Sequence, residues 1–255
     1  MLLEPAQLDL PLGVASVPVA AGTLRHIQLG SEIVSYRFRR ARRRSIGIVI
    51  GEDGLRVAAP GHAPIAVVEA FIREKARWVL KKLSERRAAP KPPVVNWDDG
   101  EMIALLGETV RIELLPARSG IHLQDDRLLI GLAPRAEPAA LRKRAIDWLK
   151  ERARALLGER LAHYSARLGV PTPALALSNA RTQWGVCRED GRVRLNWRLI
   201  HLPLHLVDYV VAHELAHLRE MNHSARFWAV VGGLYPDFAA ARAELRNCSH
   251  RLPIL

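Results

Sequence analysis

The stretch DYVVAHELAHLREMNH, residues 208–223, contains two histidines four residues apart, His213 and His217. On an α-helix this spacing places two side chains on one face, one turn apart, where two imidazole nitrogens can bind the same metal ion. Glu214 lies about 100° around the helix from His213, so its carboxylate can reach a metal-bound water without binding the metal. The stretch therefore predicts a buried helix that carries a metal site.

A third histidine, His223, follows six residues after His217 and makes the pattern more specific than the bare motif. Catalytic zinc sites have three protein ligands and a water, so three histidines suit zinc. His223 can fold back only if the helix ends near residue 220, and Asn222 tolerates the geometry of a turn there. We predict one Zn²⁺ per chain, bound by His213, His217 and His223. Two acidic residues are alternative third ligands: Asp237 and Glu244.

Glu214 is the predicted catalytic residue. In this interpretation Glu214 takes a proton from the zinc-activated water and later passes it to the leaving amine. The tetrahedral oxyanion needs a further donor, and the sequence leaves four candidates open: Arg181, Tyr209, Tyr235 and His250. Asp208 and Glu220 could orient the ligand imidazoles, or could simply be charges on the helix surface.

The residues around the motif predict the rest of its domain. Pro138 begins a long helix that Gly169 ends, and Pro171 prevents its continuation. Segments 181–187 and 192–197 form a predicted hairpin at Asp190–Gly191. Helices are predicted over three further ranges: 203–220, 224–233 and 237–247.

The first half of the chain is predicted to be rich in β-structure. Strands are expected over 24–29, 32–38, 45–50 and 54–58, followed by one helix over 64–87 and two hairpins between 102 and 132. Strands and helices are segregated along the chain, which indicates an α+β fold rather than a doubly wound α/β fold. We predict three parts: an N-terminal arm (1–22), a β-rich region with one helix (23–133) and a catalytic region (134–255).

The composition is that of a globular protein with an excess of positive charge. Hydrophobic residues make up 49% of the 255 residues and charged residues 25%, while the formal net charge is +12. The two cysteines, Cys187 and Cys248, cannot form a disulfide framework and fit a reducing compartment. Neither a targeting segment nor a membrane span is predicted. We therefore expect a cytoplasmic protein.

Positive charge is concentrated between Arg37 and Arg44, where six of eight residues are arginine. With Tyr36 and Phe38 nearby, this segment could bind phosphates and stack on bases. Nucleic acid is thus a predicted partner, although a solvated basic surface is an equally simple interpretation. The long helix adds six further cations: Arg142, Lys143, Arg144, Lys150, Arg152 and Arg154.

Several motifs, in order, resemble the YgjP-like metallopeptidases, which are themselves similar to the SprT and Wss-like zinc proteases. The likeness spans roughly residues 23–247, and four segments carry it: WGVC (184–187), LNWRLI (195–200), DYVVAHELAHL (208–218) and NHSARFW (222–228). The family usually has Trp-Gly-Ser-Cys, and here Val186 replaces the serine.

The resemblance implies a zincin-like catalytic region consisting of the long helix, a β-hairpin, the HExxH helix and C-terminal helices. It also implies that His213, His217 and His223 bind zinc and that Glu214 is the acid/base. The expected activity is peptide-bond hydrolysis, and the likeness to SprT and Wss-like proteases raises the idea of DNA-associated protein substrates.

Two other functions remain open at the level of sequence. One is a metal-dependent hydrolase of phosphoanhydrides such as nucleoside triphosphates, suggested by the arginines. The other is a non-catalytic nucleic-acid-binding module with a structural zinc. The segment 192–197 could be an edge strand that pairs with an extended peptide, or a strand that packs Trp197 into the core. Cys187 is expected to be a buried thiol rather than a metal ligand.

Overall fold

The computed structural model describes residues 22–51, 53–88, 92–116, 118–132, 137–180, 183–248 and 252–255. Within these ranges the fold is mixed α+β, as predicted, with six α-helices and three sheets. Contacts divide the described chain into two compact units, one up to residue 88 and one from residue 92. The predicted arm, 1–22, lies outside the described residues except for Gly22.

The first unit is a four-stranded sheet with two helices. The strands occur in the order β1-β2-β4-β3, with β2 and β4 parallel and the other pairs antiparallel. Their bounds are β1 Thr23–Leu29, β2 Glu32–Arg40, β3 Gly47–Gly51 and β4 Gly54–Ala59. The helices are α1 Ile65–Glu74 and α2 Ala76–Ala88.

The single helix predicted over 64–87 is therefore wrong, because the helix is interrupted at Lys75 (φ −93°, ψ 12°). The Lys75 N–H still donates to the Phe71 carbonyl and the Val79 N–H to the Lys75 carbonyl. Helical hydrogen bonding thus continues on both sides of a local kink. The pattern of buried residues does not reveal the kink, since helical spacing is kept throughout: Val68, Ile72, Val79 and Leu83.

The second unit contains two small sheets. The first has the order β5-β6-β8-β7 and the second the order β10-β11-β9. The strands are β5 Met102–Leu105, β6 Glu108–Pro116, β7 Ile121–Gln124, β8 Arg127–Leu132, β9 Leu175–Ser178, β10 Gly185–Cys187 and β11 Val193–Asn196. Because β11 lies between its neighbours, 192–197 is not an edge strand. Trp197 is buried, which agrees with the alternative interpretation, and β10 is the edge strand near the motif.

Four helices complete the second unit: α3 Pro138–Leu168, α4 Leu204–Ala216, α5 Ala225–Leu234 and α6 Phe238–Cys248. The bounds of α3 agree with the prediction, with proline in its first turn and Gly169 at φ 68° after its end. Its buried side chains recur every four residues from Leu141 to Leu161 and share one hydrophobic core with α4 and the sheet β5–β8. The compact units divide in the predicted linker, between 88 and 92, whereas described residues on both sides of the predicted boundary at 133/134 belong to this one core.

Among the described residues, no helix combines the length and the apolar character needed to cross a bilayer. Cys187 and Cys248 are both buried free thiols.

Candidate metal centre

Helix α4 is buried on nearly all sides, and it carries two polar residues into the core. His213 is 2% exposed and Glu214 is 3% exposed. The helix predicted to reach residue 220 ends instead at Ala216, and His217 is its C-cap. There the Leu218 N–H donates to the Leu215 carbonyl in a tightened turn. Burying ionisable side chains costs free energy. A buried histidine and glutamate side by side, such as His213 and Glu214, are therefore typical of a functional site.

The loop after α4 brings His223 back to the helix. The Ser224 N–H donates to the Asn222 side-chain oxygen at 3.1 Å, and the Ser224 hydroxyl in turn accepts the Phe227 N–H at 3.4 Å as the N-cap of α5. Asn222 therefore makes the predicted turn with its side chain, which accepts a backbone hydrogen bond two residues ahead.

The three predicted ligand histidines converge. One nitrogen from each of His213, His217 and His223 lies within 4.8 Å of the others. The Nε2 atoms of His213 and His223 are 3.2 Å apart. Two imidazole nitrogens on a tetrahedral zinc, each at 2.0–2.1 Å, would be about 3.3 Å apart. The residues present therefore fit a zinc ion.

The second nitrogens of these imidazoles differ in their partners. Nδ1 of His217 lies 3.2 Å from the Glu220 carbonyl oxygen. An N–H donated there leaves Nε2 with its lone pair free for a metal. Nδ1 of His213 and Nδ1 of His223 are buried and have no hydrogen-bond partner within the described part of the chain.

Burial keeps the three imidazoles neutral. It lowers the pKa of His213 to about 2, because protonated His213 would also be repelled by its titratable neighbours His217 and His223 and by Arg242. Burial likewise lowers the pKa of His223 to about 4 and lowers the pKa of His217. A neutral imidazole can bind a metal without first losing a proton, so the site favours a cation over protons.

Phe227 of α5 is a packing platform for all three rings. Its ring centroid lies 4.9 Å from that of His213, 4.6 Å from that of His217 and 4.6 Å from that of His223. Phe227 is fully buried. Phe227 lies four residues after His223, on the next helix. Apart from its place in the NHSARFW motif, nothing in the sequence indicates that it packs against the histidines.

Glu214 is held by β10. The Cys187 backbone N–H donates a hydrogen bond to its carboxylate, which opposes the effect of burial, yet burial still raises the pKa of Glu214 to about 8. Gly185 lies directly against the same side chain: an added β-carbon would be 2.5 Å from Cγ and 2.6 Å from Oε1. The Trp-Gly-Val-Cys segment thus forms the wall behind this carboxylate.

The two residues predicted to orient imidazoles act differently. Asp208 accepts two hydrogen bonds from Arg160 of α3, at 2.5 and 3.0 Å. This partly buried pair joins α3 to α4 and does not touch a ligand ring. Glu220 contributes its backbone carbonyl to His217 rather than its carboxylate.

The alternative metal ligands lie elsewhere. Glu244 interacts with His205 at 2.8 Å and Asp237 is exposed, and neither belongs to the histidine group. The Cys187 thiol is also outside that group. Burial, followed by the negative charge of Glu214, raises its pKa to about 11, which agrees with the expected inert thiol.

Of the predicted oxyanion donors, Arg181 and His250 lie outside the described residues. Tyr209 is fully buried, with its ring 6.0 Å from that of His213, and its hydroxyl has no partner among the described residues. Tyr235 is half-buried, 6.4 Å from Tyr209 between ring centroids. Of the four predicted donors, the described residues thus contain Tyr209 and Tyr235.

Sequence reasoning did not single out Arg242. Its guanidinium carbon lies 4.6 Å from the centroid of the Trp228 ring, which is itself 5.8 Å from His213 and 5.9 Å from His223. The cation contributes to lowering the pKa of both histidines. Arg242 lies on α6, so only the packing of two helices brings it near the site.

The chain matches the family model described as YgjP-like, metallopeptidase domain, over residues 44–248. Among solved structures it is similar to the metallopeptidase zymogen abylysin of Pyrococcus abyssi, with 22% identity, coverage of 39% of this chain and 99% of that chain, and a TM-score of 0.34. No curated protein matches the chain. Because the family model covers most of the chain, including all three histidines and Glu214, the chain belongs to the YgjP-like family of metallopeptidase domains.

Proposed function

We propose that the protein is a zinc-dependent metallopeptidase in which His213, His217 and His223 bind one Zn²⁺ and Glu214 is the general base. The observation that carries the proposal is the convergence of three neutral imidazoles in a buried site. The buried carboxylate of Glu214 lies beside them, directly after His213 on helix α4. Structural zinc sites usually have four protein ligands, whereas three leave a position for water or substrate. The ligand set therefore favours a catalytic metal over a structural one.

Zinc bound here would supply a Lewis acid that activates a water and polarises a carbonyl. The Glu214 carboxylate accepts the proton of the nucleophile and returns it to the leaving amine. Its raised pKa, about 8, suits a group that must hold and release a proton near neutral pH. Gly185 and the Cys187 N–H keep the carboxylate in one orientation.

The proposed substrate is a protein or peptide that binds in an extended conformation. Strand β10 pairs with β11 on one side, and no described strand pairs with its other edge. Backbone groups on such an edge can bind a peptide as an added strand. Its contact with Glu214 would bring that peptide to the reacting groups. DNA-associated proteins are the narrower class we propose, and the positive charge supports it.

The test is the variant Glu214→Gln, assayed for cleavage of an unfolded protein such as casein and for bound zinc. Loss of general acid–base catalysis should lower kcat about 10²- to 10⁴-fold with zinc retained. Glu220→Gln is the matched control, because the same chemical change there leaves the carbonyl that meets His217 in place.

Two results would contradict the proposal. One is full cleavage by Glu214→Gln. The other is zinc-loaded protein that cleaves no peptide but releases phosphate or pyrophosphate from nucleoside triphosphates, which would favour the phosphoanhydride hydrolase.

A further inference from the structure

The sheet of the first unit has one covered face and one open face. Along β2, the side chains of Val34, Tyr36 and Phe38 are buried in a core with α1 and α2. Alternation along a strand directs the intervening residues to the opposite face. Ile33 and Arg39 are accordingly exposed there. We call this second surface the open face.

A row of side chains crosses the open face through all four strands. Leu24 of β1 is paired with Arg37 of β2, Arg37 with Arg56 of β4, and Arg56 with Val49 of β3. Residues paired across strands lie on the same face. The row therefore has two arginines at its centre and an aliphatic side chain at each end.

Two glycines of β3 leave room for arginines on this face. A β-carbon at Gly47 would meet the guanidinium of Arg43, and one at Gly51 would meet the guanidinium of Arg56. Both guanidinium groups thus lie over backbone that has no side chain of its own. Together with Arg37 and Arg39, they give the open face a flat cationic surface.

The described residues of the open face include no carboxylate. The basic long helix differs, because its cations have acidic neighbours: Lys143 and Lys150 both contact Asp147, and Arg154 contacts Glu151. The carboxylates of Asp147 and Glu151 therefore offset part of the positive charge of α3. The arginines of the open face have no such acidic neighbour among the described residues of that face.

The structure corrects part of the expectation for the Arg37–Arg44 segment. Tyr36 and Phe38 are in the core and cannot stack on bases, which makes that prediction wrong. Arg40 donates to three backbone carbonyls, those of Pro60, Gly61 and Ala63, and so holds the turn after β4.

Aliphatic side chains are exposed beside the arginines. Leu24 is 56% exposed, Ile33 75% and Val49 55%. In a duplex the faces of the bases are stacked on one another and inaccessible. A single strand presents these apolar faces together with its phosphates. A surface that mixes arginines with aliphatic groups suits the single strand.

We propose that the open face binds single-stranded nucleic acid, with phosphates at Arg37, Arg39, Arg43 and Arg56 and bases against Leu24, Ile33 and Val49. Phosphate contacts do not depend on the base sequence, so binding should show little sequence preference. The proposal is independent of the metal centre, because every residue that carries it belongs to the first unit.

The test measures fluorescence anisotropy of a labelled oligo(dT) strand with the full-length chain. Arg37→Gln/Arg56→Gln should weaken binding about tenfold and lower the slope of log Kd against log salt by about 1.4, since each single-strand phosphate contact contributes about 0.7. Lys143→Gln/Arg154→Gln on α3 is the matched control, with the same change in net charge and an expected effect within about twofold.

A second variant keeps the test decisive if the arginine variant does not fold, which circular dichroism would detect. Ile33→Ser/Val49→Thr should weaken binding about threefold with the salt slope unchanged. Equal weakening by the arginine variant and its control would overturn the proposal. Competition by duplex DNA or by polyglutamate as strong as that by unlabelled oligo(dT) would overturn it as well, and would indicate a duplex or an acidic protein as the partner.

Discussion

Gly185 of strand β10 lies against the carboxylate of Glu214 so closely that an added β-carbon would be 2.6 Å from Oε1. Real β-carbons essentially never come so near, so glycine is needed here for space rather than for an unusual backbone conformation. The contact joins two segments that both contain family motifs. It gives the glycine of Trp-Gly-Val-Cys a physical role beside the proposed general base.

Gly185→Ala should therefore displace the Glu214 carboxylate and lower kcat about 10- to 100-fold, because small misplacements of a catalytic group are costly. Zinc content should not change. The control is Gly158→Ala on α3, where an added β-carbon meets nothing within 4 Å. In a Glu214→Gln background, Gly185→Ala should lower kcat little further. A further loss of about 10- to 100-fold in that background would show that Gly185 acts by another route.

Phe227→Leu should weaken zinc binding about 10- to 100-fold, the usual effect of losing support around metal ligands. The reason is that Phe227 contacts all three imidazoles. Competition with a zinc chelator measures the affinity. Phe238→Leu is the control, since Phe238 stacks on Trp228 rather than on a ligand. Equal losses in both variants would contradict this role.

Arg160→Gln should destabilise the fold by about 2–4 kcal/mol, because it leaves the mostly buried Asp208 carboxylate without its cation. Zinc affinity should stay unchanged, since the pair does not touch the histidines. Urea unfolding and zinc titration of the same preparation measure the two effects. A large loss of zinc affinity in a folded variant would restore Asp208 to the role of orienting a ligand.

The fold should also lose stability in mild acid through His201, which is not one of the three converging histidines and is 3% exposed. Burial lowers its pKa from 6.5 to about 4, although Nδ1 lies 2.7 Å from the Ala104 carbonyl oxygen. The unfolded chain then binds more protons, so stability is complete above pH 6.5 and falls as the pH drops towards 4. The expected decrease in the free energy of unfolding is roughly 3 kcal/mol.

His201→Asn removes the titrating group and keeps a donor near Ala104. Its free energy of unfolding should vary less between these pH values than that of the wild type. Parallel curves for the two proteins would contradict the assignment.

The elements that the sequence predicted well have local signals. Helix α3 begins at a proline and ends before a glycine in the left-handed region, and both signals lie at its ends. The end of α4 was placed four residues too late, because Leu218 continues the apolar helical pattern beyond the last helical turn. The histidine spacing is equally local, which explains why the convergence of three histidines could be predicted from the sequence.

The supporting contacts have no such local signal. Gly185 with Glu214, and Arg160 with Asp208, join residues far apart in the chain, and only the packing of β10 and α3 against α4 brings them together. The open face depends on strand order as well. Arg56 meets Arg37 because β4 pairs with β2 in parallel, which the hairpin-like spacing of the strands did not predict.

The most direct test of the account is the zinc content of untagged protein by mass spectrometry, with wild type beside His213→Ala/His217→Ala. The account predicts about one zinc per chain in the wild type and none in the double variant. No zinc in the wild type after reconstitution, or equal zinc in both proteins, would contradict the assignment of these histidines as the metal centre.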